Sequence, residues 1–168
     1  MRFEGRVWIV GDNINTDSIL PQKCFYMQPA EQARYVFESN RPGWAEQVKA
    51  GDILIGGRNF GMGSSRPAAR TLKVLGIACL VAESVNGLFY RNCINFAFPV
   101  MECPGITGAF DEGDRADVNV ETHTITNTTR NTSIAAVPLP GALLELLKAG
   151  GVFPLLEKQG LIAPKKTA

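Results

Sequence analysis

The segment Gly57-Arg-Asn-Phe-Gly-Met-Gly-Ser-Ser-Arg66 carries the residue types best suited to chemistry. Gly63 and the glycine two positions before it permit positive φ angles and let a ligand approach the backbone. Ser64, Ser65 and Arg66 add two hydroxyls and a guanidinium, which can bind a carboxylate through two parallel hydrogen bonds. A helix predicted to follow would point its unpaired N–H groups at the same anion. The segment therefore predicts an anion-binding turn.

The residue types alone do not exclude a purely structural role for this turn. The glycines could simply form a tight turn, and the serines could cap the helix. No Gly-Lys-Ser/Thr follows the glycines, so the segment is not a phosphate-binding P-loop. Asp17, in a polar Thr-Asp-Ser stretch, could orient an arginine or transfer a proton, or could be a turn residue.

Three cations on the predicted helix also admit two interpretations. Arg66, Arg70 and Lys73 are spaced i, i+4 and i+7, which places like charges on one helix face. Such a pair costs a few tenths of a kcal/mol unless something negative offsets it. A dicarboxylate ligand or an acidic partner surface would do so, and a solvated basic face is the alternative.

Alternating strands and helices must position the turn. Strands are predicted at 6–10, 53–55, 77–82 and 98–102, an antiparallel pair within 117–126, and helices at 29–38, 67–75, 84–96 (capped by Ser84), 142–148 and 152–158. This order predicts one α/β domain over residues 1–168, with a mostly parallel sheet, an antiparallel accessory sheet and a frayed tail at 161–168.

Composition narrows the function. A formal net charge of +1 argues against nucleic-acid binding, which requires a concentrated basic surface. No apolar run reaches the roughly 18 residues of a membrane span, and no signal peptide is evident, so we expect a cytoplasmic protein. The four cysteines form no C-x-x-C pair, which disfavours a metal or cluster site and predicts buried thiols. The single histidine, His123, is predicted to be a surface strand residue.

Several motifs together resemble the small subunits of the isopropylmalate isomerase family and its relatives homoaconitase, 2,3-dimethylmalate dehydratase and the swivel domain of aconitase. The resemblance runs from about Val7 to Gly160. The motifs that carry it are Asp12-Asn-Ile-Asn-Thr-Asp17, Gly51-Asp-Ile-Leu, the Gly57–Arg66 segment, Phe89-Tyr-Arg-Asn92 and Gly150-Gly151-Val152.

The resemblance implies an aconitase swivel-type fold of three layers, β/β/α, and a hydro-lyase that works only with a separate large subunit. That subunit is expected to carry a 4Fe–4S cluster, so this chain is expected to bind no metal or cofactor itself. The resemblance implies that Ser64 is the base, that Ser65 and Arg66, with the backbone at Gly63, hold a substrate carboxylate, and that Asp17 assists. A heterodimer or larger heteromer, a dicarboxylate substrate and no nucleic acid or membrane partner are the expectations.

Two departures from the family pattern bear on activity and substrate. Relatives commonly continue Ser-Ser-Arg-Glu-His, whereas Pro67-Ala68 stands here. In the loop that sets substrate choice, Phe25, Tyr26 and Met27 favour an alkyl substituent over a third carboxylate, although Lys23 or Arg34 could still reach in. The expected substrate is 3-isopropylmalate, as in leucine biosynthesis, or another alkylmalate.

Two other functions remain possible at this level. A non-catalytic swivel module would act as a regulatory or assembly partner, with Pro67-Ala68 marking lost activity. A stand-alone carboxylate-binding protein would bind its ligand without a partner.

Overall fold

The computed structural model describes residues 1–63 and 66–164. Within these ranges one seven-stranded sheet has the order β4-β3-β2-β1-β5-β6-β7. The strands are β1 (Arg2–Ile9), β2 (Ile53–Gly56), β3 (Cys79–Ala82), β4 (Val100–Glu102), β5 (Arg115–Asn119), β6 (Thr124–Asn127) and β7 (Thr132–Ala135).

Strand β1 joins two halves of this sheet. It pairs parallel with β2, where Trp8 lies opposite Leu54, and antiparallel with β5, where Phe3 lies opposite Val118. Strands β2 to β4 continue the parallel half, and β5 to β7 the antiparallel half. This arrangement confirms the predicted fold class. The sequence analysis missed β7, whose exposed residues lack apolar alternation.

Short helices connect and cover the strands. They are α1 (Thr16–Ile19), α2 (Pro29–Ala33), α3 (Trp44–Gln47), α4 (Ala68–Leu75), α5 (Gly87–Asn95), α6 (Ile106–Ala109), α7 (Gly141–Ala149) and α8 (Val152–Lys158), with a 3-10 turn at Gln22–Cys24. Within the described ranges, no helix combines the length and apolar composition that crossing a membrane requires.

Helices α4 and α5 cover the parallel half because of the strand order. Strands β2, β3 and β4 follow one another across the sheet, so two right-handed crossovers place both helices on the same face. Leu72 of α4 and Phe89 of α5 are fully buried there. The N-terminus of α4 is thereby fixed at the carboxyl end of β2, where the glycine-rich segment lies.

The predicted helix over 29–38 is wrong in length, because α2 ends at Ala33. Phe37 adopts a φ of 57°, which an α-helix cannot contain. That conformation buries its ring against Trp44, with centroids 5.1 Å apart, and directs its N–H to the carbonyl of Ile19. Core packing outweighs helix propensity in this segment.

Two smaller predictions are also wrong. Asn86, not Ser84, caps α5, since its side chain accepts a hydrogen bond from Leu88 N–H. His123 lies in the turn before β6 with a φ of 57°, and its Nδ1 faces the N–H of Leu139 at 3.4 Å.

Candidate active site

The candidate site lies at the carboxyl edge of the parallel strands. Three loops emerge there: the first loop (residues 10–15) after β1, the glycine turn (residues 57–63) after β2, and the third loop (residues 83–86) after β3. Ligand sites of open α/β sheets form at this edge, where loops from adjacent strands meet. The first loop and the glycine turn lie side by side because β1 and β2 pair in parallel.

Backbone hydrogen bonds join the first loop to the glycine turn along their whole length. Asn13 N–H donates to the carbonyl of Arg58 at 2.8 Å, and Thr16 N–H donates to the carbonyl of Met62 at 2.8 Å. Between them, the N–H groups of Gly61 and Met62 both reach the carbonyl of Ile14, at 2.7 and 3.1 Å. The two segments therefore share one fixed register.

Asp12 fixes the position of the first loop against the start of the glycine turn. Its Oδ1 accepts a 2.7 Å hydrogen bond from the N–H of Arg58. A Cβ on Gly57 would come within 2.1 Å of the same oxygen, so glycine is required for this contact. Asn59 Nδ2 adds a 3.1 Å bond to Oδ1 of Asn13. The sequence analysis assigned no role to Asp12 or Asn59, although both lie inside the motifs that carried the resemblance.

The third loop holds the glycine turn from its other side. Phe60 N–H donates to the carbonyl of Ser84 at 3.0 Å, and Asn59 N–H to the hydroxyl of Ser84 at 2.9 Å. Phe60 and Phe89 pack together, with ring centroids 5.5 Å apart. Gly61, with a φ of +85°, passes so close to Phe89 that a Cβ would lie 2.2 Å from its ring.

Glu83, which the sequence analysis also missed, fixes the third loop to the loop before α6. Its carboxylate accepts from Gly105 N–H at 2.6 Å and from the N–H and hydroxyl of Thr107 at 2.9 and 2.6 Å. Burial acts to raise the pKa of Glu83, but these hydrogen bonds and the charge of Arg58 outweigh it, and the pKa is lowered. An acidic residue directly after a buried strand was the available signal.

Asp17 and Arg66 meet beside the glycine turn. Asp17 Oδ1 lies 3.1 Å from Arg66 Nε, with the Arg66 side chain 10% exposed and that of Asp17 61% exposed. The contact is an ion pair whose geometry does not form a hydrogen bond from Nε. Asp17 sits in α1, whose start is capped by Asn15 through a 2.6 Å bond from Ser18 N–H. The predicted proximity of Asp17 to an arginine is thus present.

The two predicted serines cannot be placed. Ser64 and Ser65 lie outside the described residues. Their neighbour Gly63 has a φ of +77°, and a Cβ there would come within 3.3 Å of the hydroxyl of Thr16. On the other side, Pro67 leads into α4 as its cap. The helix predicted over 67–75 is present as α4, which begins one residue later, at Ala68.

The predicted specificity loop borders Arg66. The ring of Phe25 lies 5.6 Å from Cζ of Arg66, and Tyr26, which is 93% exposed, packs edge-on against Phe25. Met27 is half-buried. Lys23 turns away toward Glu38, with which it forms a 2.5 Å ion pair, and that hydrogen bond raises the pKa of Lys23. The side of the loop nearest Arg66 is therefore aromatic.

The three cations predicted to share one helix face have different surroundings, and only Arg70 and Lys73 lie on α4, because Pro67 caps the helix and Arg66 precedes it. Arg66 pairs with Asp17, and Lys73 Nζ donates a 2.9 Å hydrogen bond to the carbonyl of Phe96 at the end of α5. A cation is favoured at a helix C-terminus, because the carbonyls there are unpaired. Arg70 differs in having no ion pair among the described residues, and its Nε, like that of Arg66, is buried without a hydrogen-bond partner there.

Metal-binding groups do not gather in the described part of the chain. No group of three or more His, Cys, Asp or Glu side chains in those ranges could hold an ion. The cysteines are buried free thiols, as predicted. Burial raises the pKa of Cys79 to about 12 and that of Cys103 to about 11. The cysteine donor set therefore does not fit an iron–sulfur cluster.

Comparisons with known proteins agree with this architecture. The profile of the aconitase C-terminal domain matches residues 11–102. The chain is 45% identical to the isopropylmalate/citramalate isomerase small subunit of Methanocaldococcus jannaschii, over 94% of this chain and 95% of that one. It is 40% identical to 3-isopropylmalate dehydratase small subunit 1 of Methanopyrus kandleri, over 94% of each. A crystal structure of 3-isopropylmalate dehydratase from Methanocaldococcus jannaschii superposes with a TM-score of 0.90, at 31% identity and 96% coverage of both chains.

Proposed function

Because this chain belongs to the aconitase family, among the 3-isopropylmalate dehydratase small subunits, we propose that it is the small subunit of a hydro-lyase that interconverts alkyl-substituted malates. The observation that carries the proposal is the Asp17–Arg66 ion pair beside the glycine turn. It places a carboxylate and a guanidinium where the motif predicts a substrate dicarboxylate. Relatives named as small subunits imply a large-subunit partner.

Arg66 is the proposed carboxylate ligand. Its planar fork can form two parallel hydrogen bonds to a carboxylate, which fixes the orientation of the substrate as well as its charge. Asp17 holds the guanidinium from the Nε side, so the substrate would approach the remaining edge. Preorganisation of this kind lowers the barrier because the donor is in place before charge develops on the substrate.

Ser64 is the proposed base, and Ser65 a second donor to the carboxylate. A serine hydroxyl removes a proton from carbon only if its alkoxide form is stabilised. The N-terminus of α4 and the charge of Arg66 would supply that stabilisation. The proton beside the carboxylate passes to Ser64 Oγ, and the carboxylate held by Arg66 takes up the negative charge.

A 4Fe–4S cluster on the large subunit would supply Lewis-acid activation of the leaving hydroxyl when bound. This chain's own part is to bind the carboxylate, to hold the proton at Ser64 and to exclude water once the two subunits close. The described residues bring no three Cys, His, Asp or Glu side chains together, which supports placing the cluster on the partner.

The loop beside Arg66 favours an alkylmalate over citrate. Phe25 lies against the guanidinium, and Lys23 is already paired with Glu38. An aromatic wall accommodates an alkyl group and offers nothing to a third carboxylate. We expect 3-isopropylmalate or the smaller citramalate as substrate, in the cytoplasm. A non-catalytic swivel module is not favoured, because the similar proteins are named as dehydratase or isomerase subunits.

The test is reconstitution with the cluster-loaded large subunit. Dehydration of isopropylmalate, citramalate and citrate is followed by the absorbance of the unsaturated acid. We expect turnover of an alkylmalate and little of citrate, and Ser64→Ala should lower kcat by about 10³-fold or more. Ser18→Ala, on the adjacent short helix, is the matched control. Full turnover by Ser64→Ala would refute the assignment of the base, and no turnover of any malate by the wild-type complex would refute the reaction.

A further inference from the structure

Arg70 stands out among Arg66, Arg70 and Lys73 because no ion pair to it occurs among the described residues. Its Nε is buried and forms no hydrogen bond with any of them. An unpaired buried donor on a charged group costs more than an ordinary lost hydrogen bond. Arg66 and Lys73, one turn before it and almost one turn after it, both have partners. Of these three cations, only Arg70 therefore has neither an ion pair nor a hydrogen-bond acceptor in the described part of the chain.

Exposed hydrophobic side chains continue the same surface. Val74, one helical turn beyond Arg70, is 45% exposed. The Lys73–Phe96 hydrogen bond brings the end of α5 against this part of α4, and Phe96 is 39% exposed. Leu88, two turns back on α5, is 38% exposed. We call the surface formed by Arg70, Val74, Leu88 and Phe96 the α4–α5 ridge.

We infer that the α4–α5 ridge is a docking surface for the large subunit, which places an acidic side chain on Arg70 and apolar side chains around it. The inference rests on the proposed function, in which a large subunit closes over Arg66. Arg70 lies on the first turn of α4, four residues after Arg66. A partner that covers Arg66 therefore reaches Arg70 as well.

Charge complementarity selects the chemistry of the occupant. A carboxylate can satisfy a guanidinium bidentately, whereas an apolar surface alone would bury the charge without a partner. The exposed Val74 and Phe96 exclude water around such a pair, which strengthens it. Each of the three cations is then matched by a different acceptor: Asp17 for Arg66, the large subunit for Arg70 and the end of α5 for Lys73.

The experiment measures binding of the cluster-loaded large subunit to the full chain, by calorimetry or surface plasmon resonance, at low and high salt. Arg70→Glu should raise Kd at least about tenfold, because it removes one charge pair and creates a like-charge contact. Arg115→Glu, the same charge change at an exposed position of β5, should change Kd less than about twofold. The penalty of Arg70→Gln should be smaller than that of Arg70→Glu and should shrink at high salt.

Apolar variants test the rest of the ridge. Val74→Thr keeps the shape of the side chain and should weaken binding several-fold. Val137→Thr, at a valine of similar exposure (48%) outside the ridge, should not. Unfolding of the isolated chain separates docking from a structural role. Arg70→Met should leave Tm equal or higher, since it removes an unsatisfied buried donor.

Each contrary result is distinct. The docking surface is overturned if Arg70→Glu binds the large subunit with a Kd within twofold of wild type. It is also overturned if the chain forms a homodimer that dissociates in Arg70→Glu while the Kd for the large subunit stays unchanged. If Arg70→Met lowers Tm and leaves the Kd for the large subunit unchanged, Arg70 stabilises the fold and does not contribute to docking. Failure of the chain to bind the large subunit overturns it too. An Arg70-dependent complex that turns over no malate leaves the docking surface standing and refutes the reaction instead.

Discussion

Asp17 Oδ1 lies 3.1 Å from Nε of Arg66, which joins the helix after β1 to the residue that precedes α4. The two residues belong to different segments of the chain, so no single helix or strand brings them together. The contact exists because the first loop and the glycine turn are hydrogen-bonded in register, and because α4 starts immediately after the turn. A carboxylate fixes the Nε side of a guanidinium whose other edge is proposed to bind substrate.

Arg66→Lys should lower kcat/KM by about 10²-fold or more, because an ammonium keeps the charge but cannot form two parallel hydrogen bonds. Stability should change little, since a lysine can still pair with Asp17. Steady-state kinetics of the reconstituted enzyme and thermal unfolding measure the two effects. Arg115→Lys is the matched control. Activity near wild type in Arg66→Lys would show that bidentate binding is not required.

Asp12→Ala should lower kcat/KM by about tenfold or more, because a small misplacement of catalytic groups is costly. The lost bond to Arg58 N–H should cost only about 1 kcal/mol of unfolding free energy. Asp12→Asn keeps an acceptor oxygen and should recover most of the activity. If Asp12→Asn is as impaired as Asp12→Ala, the charge matters and the registration role is wrong.

Gly61→Ala should destabilise the chain by about 3 kcal/mol or more, since it combines a positive φ with a clash against the buried ring of Phe89. Gly87→Ala is the control, because a Cβ there meets nothing within 4 Å. Denaturant unfolding of both variants gives the comparison. Equal stabilities would mean that the turn can relax away from Phe89.

Glu83→Gln should destabilise the chain by about 1–3 kcal/mol at neutral pH, because an amide nitrogen cannot accept the bond from Gly105 N–H. The folded-state pKa of Glu83 lies below its ordinary value of 4.5, so its stabilisation is present above that pH and is lost as the pH falls through the folded pKa. The difference in unfolding free energy between the variant and the wild type should therefore decrease in acid. Unfolding free energies from pH 7 down to about 3 would reveal a constant gap if the carboxylate were not the cause.

Phe25→Ala should change substrate preference with little loss of stability, since Phe25 is 47% exposed. Removing the aromatic wall should lower kcat/KM for isopropylmalate relative to citramalate by about tenfold, because a larger alkyl group loses more contact. Competition between the two substrates measures the ratio directly. Phe153→Ala, at an exposed phenylalanine of α8, is the control. An unchanged ratio would remove this loop from substrate choice.

The sequence predicted the parts of the fold that depend on local pattern. Alternation of apolar strands with helices located β2, α4, β3 and α5, and the glycine turn was recognised from residue types with Arg66 at its end. Phe37 shows why other boundaries were missed: its positive φ follows from burial against Trp44, and no pattern near residue 37 encodes that contact.

The contacts of the candidate site were likewise predicted only in part. Asp17 was identified from its motif, but the acceptors of Lys73 and of Arg58 N–H come from segments distant in sequence. Glu83 was missed because its three donors lie beyond the next strand, at the start of the short helix α6, and nothing in the sequence links them to Glu83. Such contacts depend on how the loops pack together, which periodicity does not describe.

The shared register of the first loop and the glycine turn also limits how this chain can change in length. Inserting or deleting one residue in either segment would slide the carbonyl of Met62 away from Thr16 N–H and would separate Asp17 from Arg66. Among the described residues, no backbone hydrogen bond joins the stretch from Gln22 to Gln28 to the glycine turn. Evolution can therefore lengthen or shorten the part that borders the substrate's side group while the part that holds the carboxylate keeps a fixed length.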